Sequence, residues 1–73
     1  MNMTPDTNFE KLQQVYHILQ KKGYNPINQM VGFLLTEDPT YITSADGARR
    51  LVSGMDTETV LRDIVQNYFD REL

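Results

Sequence analysis

Residues 23 to 35 read Gly23-Tyr24-Asn25-Pro26-Ile27-Asn28-Gln29-Met30-Val31-Gly32-Phe33-Leu34-Leu35, a helix stop, a helix start and an apolar stripe in immediate succession. Gly23 can take the left-handed conformation that closes a preceding helix, with Tyr24 folding back onto the last turn. Asn25 is a good N-cap, and Pro26 is pre-organised for the first helical position, where its missing N–H costs nothing. Ile27, Met30, Val31, Leu34 and Leu35 then fall at i, i+3, i+4, i+7 and i+8, one face of a short helix. Gly32 interrupts that helix at a cost of about 1 kcal/mol relative to Ala. The glycine therefore predicts close approach of another backbone at this face, a second subunit included.

Upstream of this stretch, Phe9, Leu12, Val15, Tyr16 and Leu19 recur at helical spacing, and Thr7 with Glu10 three residues later forms a capping box. A first helix is predicted over Asn8 to Lys22, with Lys21 and Lys22 at the negative end of its dipole. Residues 1–7, polar and interrupted by Pro5, read as a mobile arm, and residues 8–73 as a single helical domain.

Downstream, Pro39 biases Asp38 away from helical geometry, so the second helix ends near Thr36. Asp38 to Ile42 then form a turn that leaves Tyr41 and Ile42 exposed or re-buried. Thr43 or Ser44 caps a third helix of about two turns, with Ala45, Ala48, Leu51 and Val52 inward and Gly54 closing it. Asp46-Gly47 lies inside this helical pattern. Asp56 caps a fourth helix in which Val60, Leu61, Ile64, Val65, Tyr68 and Phe69 repeat as adjacent pairs every four residues. No segment alternates with period two, so the expected fold is all-α: a compact bundle of four short helices, or five if the Pro39 turn adds one.

The chain has 73 residues, 40% of them apolar, no cysteine and a net charge of −3. One core in a chain of this size seldom supplies more than about 3–5 kcal/mol. Disulfides and thiolate metal sites are excluded, and a lone His17 cannot complete a structural zinc site, so neither metal nor cofactor is expected. Oligomerisation is the remaining staple. A homodimer is expected, with Gly32 and the stripe Ile27, Met30, Val31 and Leu34 at or beside its interface. A pI near 4.8 argues against a general nucleic-acid binder. Neither a membrane span nor a signal peptide is legible, which makes the cytoplasm the expected compartment.

Catalytic constellations are equally sparse. His17 has Gln13 and Lys21 four residues away on either side, neither a carboxylate to orient it nor a nucleophile to activate. The acidic residues are scattered at helix ends and along the last helix, where capping and solvated-face roles account for them. The glycines never cluster into a phosphate-binding loop. Arg49-Arg50, with Lys21-Lys22, can make a small basic spot, which keeps a DNA-binding or transcription-linked module as the alternative. Asn25, Asn28 and Gln29 beside Tyr24 suit directional hydrogen bonds at a packed surface as well as they suit capping and solvent.

Lys22-Gly23-Tyr24-Asn25-Pro26-Ile27-Asn28-Gln29, then Val31-Gly32, Leu34-Leu35, Asp38-Pro39, Tyr41-Ile42 and Ala48-Arg49, resembles the IreB family of small regulatory phosphoproteins of low-GC Gram-positive bacteria. The likeness runs from about Leu12 to Phe69. It implies a cytoplasmic, non-enzymatic, all-helical homodimer. It also implies phosphorylation of arm threonines, here Thr4 and Thr7, by a membrane-bound Ser/Thr kinase with extracellular PASTA domains. A phosphatase reverses the modification, and the pathway governs cell-wall stress and cephalosporin resistance through a downstream protein that the sequence does not name. The resemblance places Tyr24 to Gln29, Asp38, Pro39, Tyr41 and Arg49 at core positions of the family, a candidate partner or dimer surface together with Met30 and Gly32. Departures include Pro5 in the arm, Thr36-Glu37 where the family tends to have Ser-Gly, Thr43 where it has proline, and Gly47 where it usually has an acid.

Overall fold

A computed structural model describes residues 7–72, and Thr4 lies outside them. Four α-helices occupy most of the described chain: α1 Asn8–Lys21, α2 Pro26–Thr36, α3 Ala48–Val52 and α4 Thr57–Glu72, with 3-10 turns at Pro39–Tyr41 and Ala45–Gly47. The all-α expectation stands, and the Pro39 turn supplies the additional short helix.

The local signals at the ends of α1 act as the sequence indicates. Thr7 Oγ1 accepts the Glu10 N–H at 3.1 Å, and Glu10 Oε1 accepts the Thr7 N–H at 3.1 Å, so both halves of the capping box are closed. At the other end Gly23 has φ +85°; its N–H donates to the Gln20 carbonyl, and the Tyr24 N–H reaches back to that of Leu19 at 2.9 Å. This paired closure satisfies two of the carbonyls a helix end would leave bare. α2 starts on Asn25, whose side chain accepts the Asn28 N–H at 3.0 Å, with Pro26 in the first turn.

Inside α2 the face is rotated from expectation. Phe33, absent from the anticipated stripe, is 1% exposed and is the largest fully buried side chain; Met30 and Leu34 pack partly against the core. Ile27, Val31 and Leu35 point outward at 58, 47 and 79% exposure. The run Phe33-Leu34-Leu35 offers two overlapping faces, and the one that buries the aromatic ring removes the most apolar surface from water.

Gly32 is a second correction. A Cβ there would lie 2.6 Å from Cδ1 of Tyr41, so the close neighbour is an aromatic ring of the same chain rather than a second backbone. The Pro39 turn folds back on α2 and lays Tyr41 across that notch, leaving the ring half exposed, while Ile42 is fully buried.

The third helix is shorter than expected. Asp46 (φ 51°) and Gly47 (φ +80°) are both left-handed, so the pattern breaks there and α3 keeps only five residues. Ser44 makes no side-chain cap; Thr43 Oγ1 instead accepts the Ala45 N–H at 3.2 Å. Ala48 and Val52 are buried, whereas Ala45 and Leu51 are half-buried. α1 packs chiefly against α3 and also against α2, and Val15, Leu19, Phe33, Ile42, Ala48 and Val52 form the core.

α2 closes on Glu37, a non-glycine residue at φ 60° and ψ 20°, whose N–H donates to the Phe33 carbonyl at 2.7 Å. A side chain in this region costs about 1 kcal/mol. Glu37→Gly, the residue the resembled family favours here, is expected to raise stability by about 0.5–1 kcal/mol. The check is a melting temperature higher by several degrees; an unchanged or lower value contradicts the argument.

Candidate functional site

Thr7 and the segment from Tyr24 to Arg49 carry most of the residues singled out by sequence. At the start of α1 the Thr7 hydroxyl is exposed; besides capping, it donates to Glu10 Oε1 at 3.2 Å. The exposed position makes the oxygen a chemically available acceptor for a modifying group, and the contacts make any such group consequential for the first turn.

In the second region the structure joins several candidates into one intrachain latch. Gln29 Oε1, on α2, accepts the Thr43 N–H at 3.0 Å, and Arg49 Nε donates to the Ile42 carbonyl at 2.9 Å. Asp38 caps the Pro39 turn by accepting the Thr40 N–H at 3.0 Å and the Thr40 hydroxyl at 2.7 Å. Half-buried Pro39 fixes that turn, and Tyr41 covers Gly32. Gln29, Asp38, Pro39, Tyr41 and Arg49 thus hold α2, the turn and α3 together, while Asn25 acts locally as the cap of α2. Tyr24, Ile27 and Asn28 remain exposed, and with Val31 and Leu35 they form an outward surface on a helix carrying no charged residue.

The basic spot is divided rather than assembled. Lys22 Nζ lies 3.6 Å from Asp46 Oδ2, Arg49 is tied down as above, and Arg50 is exposed on the five-residue α3. His17 is exposed and meets Tyr16 edge to face at 6.2 Å. Among the described residues no group of three or more metal-ligating side chains comes together, and no helix is long and apolar enough to cross a membrane.

A surface that sequence reasoning did not assign lies along α4. Among its described side chains only Thr57 and Val60, in the first turn, are buried, while Leu61, Ile64, Val65, Tyr68 and Phe69 are 41–62% exposed. An open groove of about 450 Å³ between α4 and α1 is lined by Phe9, Leu12, Tyr16, His17, Met30 and Ile64. The signal was present in the paired apolar periodicity, which is wider than so small a core can cover.

Two exposed carboxylates have depressed pKa values. The Thr40 N–H, then its hydroxyl, hold Asp38 below the ordinary carboxylate value. The Thr59 hydroxyl, then its N–H, do the same for Asp56 at the start of α4. Both groups bind a proton more weakly folded than unfolded. Their contribution is therefore complete above about pH 4 and is lost as pH falls through the depressed values. The urea midpoint is expected to fall below about pH 4, and less steeply in an Asp38→Asn, Asp56→Asn variant; equal slopes would remove both carboxylates from the account.

The model of the IreB regulatory phosphoproteins matches residues 2–70, nearly the whole chain, and the protein belongs to that family.

Proposed function

We propose that the protein is a cytoplasmic, non-enzymatic homodimer that switches between partner-binding states through phosphorylation of Thr4 and Thr7 by a PASTA-type Ser/Thr kinase, reversed by the cognate phosphatase. On this reading it acts in cell-wall stress and cephalosporin resistance. The observation that carries the proposal is the Thr7 hydroxyl, exposed and bonded to Glu10 at the first turn of α1.

A phosphate there adds about −1.5 to −2 charges. The N-terminus of α1 favours that charge, but the Glu10 carboxylate, which accepts the Thr7 hydroxyl in the unmodified protein, repels it. Modification therefore breaks the reciprocal cap and frees Glu10 from the Thr7 N–H. The outward α2 surface of Tyr24, Ile27, Asn28, Val31 and Leu35 is the proposed docking face for the downstream protein, because it is apolar and uncharged while its neighbours are committed to the latch.

Incubation with the kinase and Mg-ATP, followed by peptide mass spectrometry, tests the switch. Phosphate on Thr7 or Thr4 is expected, and its absence from both positions refutes the reading. A pull-down with modified and unmodified forms then reports the partner, and equal capture by both forms refutes control by the arm. Sedimentation equilibrium should give about twice the 8.5 kDa chain mass.

A further inference from the structure

We propose that the capping box of α1 is a gate on Thr7: its hydroxyl accepts phosphate only while the first turn of the helix stands open, and Glu10 is the positioning residue that holds the turn closed. The inference rests on the phosphorylation reading above and adds what regulates that site.

The closed turn engages each polar group of Thr7. Its N–H and its hydroxyl both donate to Glu10 Oε1, Oγ1 accepts the Glu10 N–H, and the carbonyl accepts the Lys11 N–H at 3.0 Å. Phosphoryl transfer forms a bond from Oγ1 to the γ-phosphorus of Mg-ATP and breaks the bond from that phosphorus to the oxygen that leaves with ADP, while the hydroxyl proton passes to a carboxylate base of the kinase. In the closed turn that proton is already directed at Glu10, and an N–H occupies a lone pair of the attacking oxygen. Oγ1 is then held by the helix and is not free to swing into line with the phosphorus at the roughly 3–3.5 Å that reaction requires. Exposure lets the kinase approach the side chain; the cap decides when the oxygen reacts.

Opening disturbs little else, because the cap has no core behind it. Asn8, Phe9, Glu10 and Lys11 are exposed or half-buried, Phe9 at 71%, and the first fully buried side chain of α1 is Val15. The turn from Thr7 to Lys11 can therefore unwind as a local event that leaves Val15 and Leu19 packed. With so little apolar burial at stake, the capping bonds set the open fraction, and loss of one half of the box raises it about 5-fold. A kinase that takes only the open form has its apparent affinity reduced by that fraction. Once phosphate is on Oγ1 it repels the Glu10 carboxylate, so the box does not close again and the gate acts before modification rather than after it.

The test uses the whole chain with the kinase and Mg-ATP, and reads kcat/KM for Thr7 and Thr4 separately by peptide mass spectrometry. Glu10→Ala removes the acceptor of the Thr7 N–H and is expected to raise the Thr7 value about 5-fold. Glu10→Gln, whose amide oxygen still accepts that N–H, is expected to stay within about 2-fold of wild type. Asp56→Ala removes a cap of the same kind from α4 and should leave Thr7 unchanged. Thr4, upstream of the cap, should respond to none of the three. Amide hydrogen exchange reads the gate without the kinase: the amides of residue 10 and Lys11 should exchange about 5-fold faster in Glu10→Ala than in wild type or Glu10→Gln.

A Thr7 rate in Glu10→Ala that equals or falls below wild type, a Glu10→Gln rate that matches Glu10→Ala, an equal rise in Asp56→Ala, or unchanged exchange in Glu10→Ala overturns the gate and leaves phosphorylation standing. Phosphate on Thr4 alone in every variant does the same. No phosphate on either threonine in any variant overturns both.

Discussion

Phe33→Ala is expected to leave the protein largely unfolded at room temperature. The ring is 1% exposed and is the largest side chain in the core, so its removal deletes the transfer energy of an aromatic and leaves a cavity among Val15, Leu19, Ile42 and Val52. Such truncations cost about 3–5 kcal/mol. That equals the whole stability a core of this size ordinarily supplies. Leu35→Ala is the paired control: Leu35 lies two residues further along the same helix at 79% exposure, and its loss should change stability by no more than about 0.5 kcal/mol. Urea unfolding followed by far-UV circular dichroism measures both. Similar costs for the two variants would mean that α2 is rotated from the face described above.

Ile42→Ala is expected to cost about 2–5 kcal/mol although the residue belongs to no helix. Ile42 is 0% exposed, its N–H donates to the Pro39 carbonyl at 3.0 Å, and its own carbonyl accepts Arg49 Nε at 2.9 Å. The side chain thus inserts into the core from a connector whose backbone is fixed on both sides. A substitution in a loop that merely links two helices would change stability by a few tenths of a kcal/mol. A loss in that small range would show that the connector is not part of the core, and the hydrogen bonds to it would then be incidental.

The ends of the helices were the most legible part of the sequence, because each is decided by one or two side chains acting on nearby backbone. Thr7 with Glu10, Gly23 with Tyr24, Asn25 with Pro26, and Asp56 all act at the positions their chemistry indicates. The faces were less legible. Phe33-Leu34-Leu35 satisfies helical periodicity in two registers, and only the packing of α1 and the Pro39 turn chooses between them. Asp46-Gly47 is similarly ambiguous: the helical pattern of the flanking apolar residues runs through both, yet both adopt left-handed geometry and divide it.

At the candidate site, Thr7 was legible as a cap because that property is local. The roles of Gln29 and Arg49 were not, since their partners, Thr43 and Ile42, lie 14 and 7 residues away in the chain. The eight-residue run that carries the family likeness therefore mixes two kinds of position. Asn25 and Gln29 maintain the fold, whereas Tyr24, Ile27 and Asn28 face outward and are available for recognition.

The contact of Gly32 with the Tyr41 ring makes the two positions a single unit of inheritance. A side chain at 32 displaces the ring, and a ring lost from 41 uncovers a notch in α2 that no longer requires glycine. Substitutions at either position are therefore tolerated according to what occupies the other, the signature of a coupled pair. Across descendants of this sequence, residues 32 and 41 should change in concert, so that the variability permitted to one is recorded in the identity of the other.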